Sequence, residues 1–284
     1  MTGPIRNVSD TALWVAMYRA FESERPDALF RDPFARRLAG ARGEAIVASM
    51  PRGRAMSWPM VVRTAVMDEI VLRCVQQGCT TVLNLAAGLD TRAFRLPLPK
   101  ALRWFDADLP EMVAYKQQQL AGEQPACSYQ AVAVDLVDAA ARASLFARAA
   151  QGGGPVLVVA EGLLVYLQAA EVQSLAQQLH DQPAFRWWLI DLASPQLLKM
   201  LQRNWGKRLA EGNAPMRFAP AEGTAFFLPH GWREVEYRST WEEATRLRRT
   251  MRLAWLWRLL SKLMPAKKRA QFRRFSGMVL LERT

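Results

Sequence analysis

Residues 81–96, TVLNLAAGLDTRAFRL, constrain the fold more than any other part of the chain. Val82, Leu83 and Leu85 suit a strand buried on both faces. Ala86, Ala87 and Gly88 then let the backbone pass close to a ligand at the strand's carboxyl end, and Asp90, Thr91 and Arg92 follow at once. Small residues also occur where a helix simply packs on a strand, so the pattern beyond the turn has to decide between packing and binding.

That pattern is an alternation. Strands are expected near residues 81–85, 103–108, 128–134, 156–161 and 186–191, with helices at 110–120, 139–150 and 169–180 between them, as in a doubly wound parallel sheet. Gly152, Gly153 and Gly154 precede a strand, which makes them a turn and not a phosphate loop. Apolar periodicity predicts earlier helices at 10–21, 32–48 and 60–77, the last closed by Gly78. Runs at 232–237 and 277–283 supply a late antiparallel hairpin at one sheet edge.

A chain of 284 residues with half of its composition apolar can bury one large core. No apolar run is long enough to cross a membrane, and the N-terminus lacks a signal peptide's apolar core, so a cytoplasmic protein is expected. Cys74, Cys79 and Cys127 read as buried free thiols, and with His180 and His230 the only histidines no metal is expected. The formal charge is +12, but eleven basic residues and no acid lie between Ala244 and Leu281. The imbalance is therefore local, and overall composition carries no argument for nucleic acid.

The strands end in a regular way. Gly88 follows the first, Asp108 closes the second, Asp135 follows the third and Glu161 ends the fourth, where open α/β sheets bind ligands. Asp108 stands 20 residues after Gly88, the separation at which a carboxylate meets ribose hydroxyls. Asp106 is expected to alternate with it, so that one of the two faces the crevice. The turn lacks G-x-G-x-x-G and G-K-[ST], which favours a nucleoside without phosphates, and S-adenosylmethionine has that character.

The motifs VVRTAVMDEI (61–70), LNLAAGLDTRAFRL (83–96), WFDADLPEMVAYK (104–116), VAVDL (132–136) and AEGLLVYL (160–167) together resemble the leucine carboxyl methyltransferase family. Residues 9–40 and 217–232 resemble its bacterial, polyketide-associated O-methyltransferase branch. The resemblance implies a class I methyltransferase, Rossmann-like α/β fold. Its doubly wound, mostly parallel sheet would carry a late antiparallel hairpin, an N-terminal helical lid and inserted cap helices. It further implies one domain, with a lid at 1–59, a cofactor core at 60–194, a cap at 195–231 and hairpin strands with a basic Trp-rich helix at 232–284.

S-adenosylmethionine would be the methyl donor. By the same resemblance Arg63 would bind its carboxylate, Gly88, with Ala86 in the same turn, its amino-acid portion, and Asp108, beside Leu109, its ribose. Asp135 and Leu136 would contact adenine, and Glu161 would lie near the amino group and sulfonium. Where the family commonly reads LGAG, this chain has Leu85, Ala86, Ala87 and Gly88. If the first glycine serves a positive φ, Ala86 costs about 1 kcal/mol or more.

A carboxylate acceptor needs no base, whereas a hydroxyl acceptor would draw on His230 or Tyr166, each of which also reads as a turn or core residue. His180 is expected to cap a helix or face solvent. Arg92 and Arg95 either orient an anionic substrate or brace the turn through Asp90. Trp187 and Trp188 must face opposite sides of a strand. Trp205, Met216, Phe218, Phe226 and Phe227 suggest an apolar acceptor, free or linked to an acyl carrier. Residues 246–274 have three open readings: a structural helix, contact with an anionic membrane or acidic carrier, or, less in keeping with the rest, nucleic-acid binding. A non-catalytic nucleoside-binding regulator is the alternative to an enzyme.

Overall fold

The computed structural model describes residues 8–50, 53–211, 215–251 and 264–284. Helices α1 (Val8–Ser23), α2 (Ala35–Ala48) and α3 (Trp58–Gln76) precede the first strand. Pro59 starts α3, and Gly78 at φ +94° ends it in a backbone conformation that costs glycine little. The predicted second helix is broken at Gly40, whose φ of +57° interrupts α2.

Strands and helices then alternate as β1 (Thr81–Leu85), α4 (Arg92–Arg95), β2 (Arg103–Asp108), α5 (Pro110–Gln119), β3 (Ser128–Ala133) and α6 (Ala139–Ala150), followed by β4 (Val156–Ala160), α7 (Ala169–His180) and β5 (Phe185–Ala193). Asp138 caps α6 by accepting from the N–H groups of Ala140 and Ala141, and Gln168 with Glu171 forms a capping box on α7. The remaining elements are α8 (Pro195–Glu211), β6 (Trp232–Ser239), α9 (Thr240–Arg246), α10 (Ala266–Arg273) and β7 (Ser276–Arg283).

The sheet runs β3-β2-β1-β4-β5-β7-β6, with β1 to β5 parallel and β7 antiparallel to both of its neighbours. Strand order reverses between β1 and β4, and the crevice opens beyond their carboxyl ends. One face packs Phe105, Phe146 and Trp188 with α6 and α7; the other packs Trp104 and Trp187 with α3. The two adjacent tryptophans thus both serve the core, one on each side. A third cluster, formed by α1, α2 and Met112 of α5, lies beyond the strand ends around Leu89.

Cys74, Cys79 and Cys127 are buried free thiols, and burial pushes them up to about 12, 11 and 11. Several arginines of the basic C-terminal run are neutralised by acids from elsewhere. Arg249 is buried against Glu22 at 2.8 Å, Arg246 meets Glu69 and Glu243, and Arg273 and Arg274 meet Glu242 and Glu234. The predicted Trp-rich helix falls mainly on residues 252–263, outside the described residues, as does the side chain of Trp205. No described helix is long and apolar enough to cross a membrane.

Candidate active site

The small-residue turn after β1 is held from two sides. Ala87 N donates to Ala107 O at 3.2 Å, and Gly88 N donates to Asp108 Oδ2 at 2.6 Å. Both Ala86 (φ +49°) and Gly88 (φ +51°) are left-handed. A Cβ on Gly88 would come 3.2 Å from the Cβ of Ala12, because α1 crosses directly over the turn. The family glycine that Ala86 replaces therefore sits at a positive φ, and the alanine is strained.

Asp108 Oδ1 accepts from Leu109 N at 2.7 Å. With one N–H on each oxygen, its carboxylate retains lone pairs for two further donors. Burial raises its pKa, and the two backbone N–H groups only partly offset that. Asp106 does not face the crevice, although not for the reason expected: residues two apart share a strand face. Asp106 is instead buried and consumed by Lys116 at 2.6 Å, Asn84 at 2.9 Å and the indole of Trp104 at 2.7 Å.

Beneath the turn lies an ion-pair network centred on Arg92, only 2% exposed. It meets Asp68 at 2.7 Å, Asp90 at 2.7 Å and Glu161 at 2.8 Å. Arg95 also binds Asp68, so both arginines brace the structure and neither is free for an anionic substrate. Arg63 pairs with Glu161 at 2.9 Å and with Asp191 at 3.0 Å, and its Nη2 makes no bond among the described residues. Asp191 Oδ1 in turn accepts from Gly162 N at 2.6 Å. Burial works to raise Glu161 and Asp90, but Arg92 outweighs it, helped by Arg63 at Glu161 and by Lys116 at Asp90, and both are held low.

These groups border one cavity of about 1610 Å³. Around its first part lie Arg63, Ala86, Gly88, Asp108, Asp135 and Glu161. Leu109 and Val137 are 44% and 68% exposed there, and with Leu136 they form an apolar rim. Asp135 Oδ1 accepts from Val137 N at 2.9 Å, which shapes that rim. Arg142, buried, donates to Leu136 O at 2.5 Å and to Gln178 and Ser174. Apolar residues make up much of the remaining lining, among them Trp58, Met200, Met216, Phe218, Trp241 and Phe275.

The structure thus brings together all eight residues singled out for the cofactor. Tyr166 also lines the cavity, on a single turn at Leu164–Tyr166, and burial raises its phenol. His230 does not line it: the imidazole packs beside Phe226 at 5.9 Å, on the far side of a turn that leads into β6. His180 is not solvent-facing, because Trp232 and Gly231 cover its ring. Asp68 and Asp191 were not singled out from sequence. Asp191 carried the same signal as the other strand-end acids, whereas Asp68 carried none, since its partners lie 24 and 27 residues away.

Residues 12–180 match the family model of leucine carboxyl methyltransferase. The chain belongs to this family. A Parafrankia protein, named by inference as an S-adenosyl-L-methionine-dependent methyltransferase, is 37% identical over 258 residues, covering 85% of this chain and 82% of its own. A Streptomyces coelicolor protein named in the same way is 32% identical, covering 82% and 87%. The crystal structure of a DUF574 family protein from Streptomyces avermitilis has the same fold, with a TM-score of 0.59 at 16% identity over 95% of this chain and 97% of that one. Like its family, this chain is a class I methyltransferase, and S-adenosylmethionine is its cofactor. The site suits that molecule: an open carboxylate at Asp108, a glycine turn that a side chain would fill, and an apolar rim at Leu109, Leu136 and Val137.

Proposed function

We propose that this methyltransferase acts on an oxygen of a small or carrier-linked metabolite. The observation that supports the reading is the size of the cavity and its mixed lining of charged strand-end residues and apolar side chains. At about 1610 Å³ it exceeds the ~300–1,000 Å³ of a site for one ligand, leaving room for an acceptor beside the cofactor. The family's name, which specifies a carboxyl acceptor, favours oxygen as the atom methylated.

In this reading Asp108 accepts both ribose hydroxyls, and Gly88 lets the amino-acid portion approach the backbone. Arg63 offers Nη2 to the carboxylate while Glu161 and Asp191 fix its other nitrogens. Leu109, Asp135 and Leu136 border the adenine. Arg63, Arg92, Arg95 and Lys116 face Asp68, Asp90, Asp106, Glu161 and Asp191, so four cations meet five carboxylates and leave one negative charge to favour a sulfonium. Held by these residues, the cofactor would supply an electrophilic methyl group to the acceptor oxygen. The protein's share is alignment by the locked turn and exclusion of water by the apolar walls. With His230 outside the cavity, Tyr166 is the remaining candidate from sequence for contact with the acceptor.

Calorimetric titration of S-adenosylmethionine into wild type and Asp108→Ala tests the site. Micromolar binding that weakens tenfold or more, about 1.4 kcal/mol, is expected in the variant. Equal binding by both proteins would place the ribose elsewhere.

A further inference from the structure

The chain turns between β3 and α6 around one doubly held peptide unit. Asp138 N donates to Asp135 O at 3.1 Å, which closes residues 135–138 into a turn. The peptide joining Leu136 to Val137 lies at its centre, and both polar ends of that peptide are engaged. Its N–H, on Val137, donates to Asp135 Oδ1 at 2.9 Å, and its carbonyl, on Leu136, accepts from Arg142 Nη1 at 2.5 Å. Rotating the peptide would break both bonds at once.

Arg142 is only 6% exposed, yet all three bonds of its side chain go to neutral groups: Leu136 O, Gln178 Oε1 at 2.9 Å and Ser174 Oγ at 3.1 Å. The other arginines on the cavity wall among the described residues, Arg19, Arg63, Arg92 and Arg95, each have a carboxylate. Burying a guanidinium without one is costly, and what Arg142 offers in return is its rigid fork, which spans from the turn to α7.

The held peptide has two open groups beside it. The Leu136 N–H makes no hydrogen bond among the described residues, and neither does Asp135 Oδ2. Both residues line the cavity, Asp135 exposed and Leu136 half-buried. A donor next to an acceptor matches the edge of adenine, where a ring nitrogen accepts beside an amino group that donates. Hypoxanthine, with a ring N–H beside a carbonyl, presents the reverse.

Building on the placement of adenine at Asp135 and Leu136 in the reading above, we infer that Arg142 is a positioning residue for the base. By holding the 136–137 peptide it keeps the Leu136 N–H and Asp135 Oδ2 as a fixed pair that selects adenine over a 6-oxopurine. Ser174 and Gln178 brace the guanidinium, which itself touches no ligand.

S-adenosylhomocysteine and S-inosylhomocysteine share ribose and homocysteine and differ only at the base edge, so the ratio of their affinities in calorimetry reads the base contact alone. Wild type should favour S-adenosylhomocysteine at least about tenfold. Arg142→Met should shrink that ratio about threefold or more, and the double variant Ser174→Ala/Gln178→Ala, which leaves the arginine unbraced, should shrink it by less. A folded Arg142→Met with the wild-type ratio, whether or not it melts lower or binds both ligands more weakly, would show that the arginine serves only the fold and would overturn the inference. If Arg142→Met does not fold, the double variant decides, and an unaltered ratio there overturns the inference equally. Asp135→Ala separates this result from the reading beneath it. Unchanged S-adenosylhomocysteine affinity in that variant, or a wild type that does not distinguish the two ligands, would place adenine elsewhere and remove both. Weakened binding in Asp135→Ala beside an unaltered ratio in Arg142→Met would strike the role of Arg142 alone.

Discussion

The two halves of the cavity are built on opposite rules. In the charged half almost every polar group has its partner inside the protein: Arg92 holds three carboxylates, Asp106 holds three donors, and Asp108 is fixed by two backbone N–H groups. The apolar residues of the lining, Trp58, Met200, Met216, Phe218, Trp241 and Phe275, offer contact surface in place of such a network. A site for a fixed ligand gains from preorganisation, because its dipoles need not rearrange on binding. Apolar walls impose no such fixed pairing and contribute by keeping water out.

The sharpest way to break the contrast is at Arg92. Arg92→Leu should destabilise the protein by about 3–5 kcal/mol in urea unfolding, because it leaves Asp68, Asp90 and Glu161 buried without their shared cation. A loss within the range of an ordinary surface substitution would show that the network is dispensable.

Acid should separate the halves more gently. A carboxyl whose folded pKa is raised, as burial raises Asp108, favours the fold when protonated, a contribution lost as pH rises through the folded value. Glu161 and Asp90 are depressed, so their contribution is present above the unfolded pKa and lost as pH falls through the folded one. On acidification Asp108 protonates first. Cofactor affinity measured by calorimetry should begin to fall at a higher pH than the melting temperature does, by up to about tenfold per pH unit. Affinity and stability that decline together would contradict this order.

A smaller effect is expected at the turn. Ala86→Gly relieves a left-handed alanine and should add about 1 kcal/mol of stability, measured by the same unfolding assay, less the entropy that glycine gains when unfolded. The smallest belongs to His230, outside both halves. His230→Ala should leave cofactor affinity unchanged and stability within about 0.5 kcal/mol, and a large loss of either would reinstate the histidine at the site.

Much of this architecture was legible in the sequence because strand and helix periods are local properties. The buried runs at Thr81–Leu85 and Val156–Ala160 and the acids at strand ends all lie within a few residues of the features that define them. The ion-pair network was not legible. Asp68 reaches Arg92 and Arg95 only once α3 lies against the turn after β1, and nothing near it in the chain says so. Spacing from Gly88 picked Asp108 over Asp106, but the physical reason was not legible: the two share a strand face and differ in whether Lys116 and Asn84 reach them. His230 misled for a related reason: a Pro-Gly turn before a strand looks like a site loop, but this strand adds to the sheet edge remote from the switch point.

The place of β7 in the sheet bears on how the chain acquires its structure. β1 to β5 are joined by successive βα units, so each strand meets a neighbour after a short chain closure. β7 pairs Trp188 with Leu281 and so must return across more than ninety residues to lie between β5 and β6. Long closures of this kind slow folding, because their entropy is lost before the contacts form. The parallel half should therefore gain amide-exchange protection early in refolding and the β5-β7-β6 edge late. During that interval the unpaired side of β5 is the surface most exposed to mispairing with another chain.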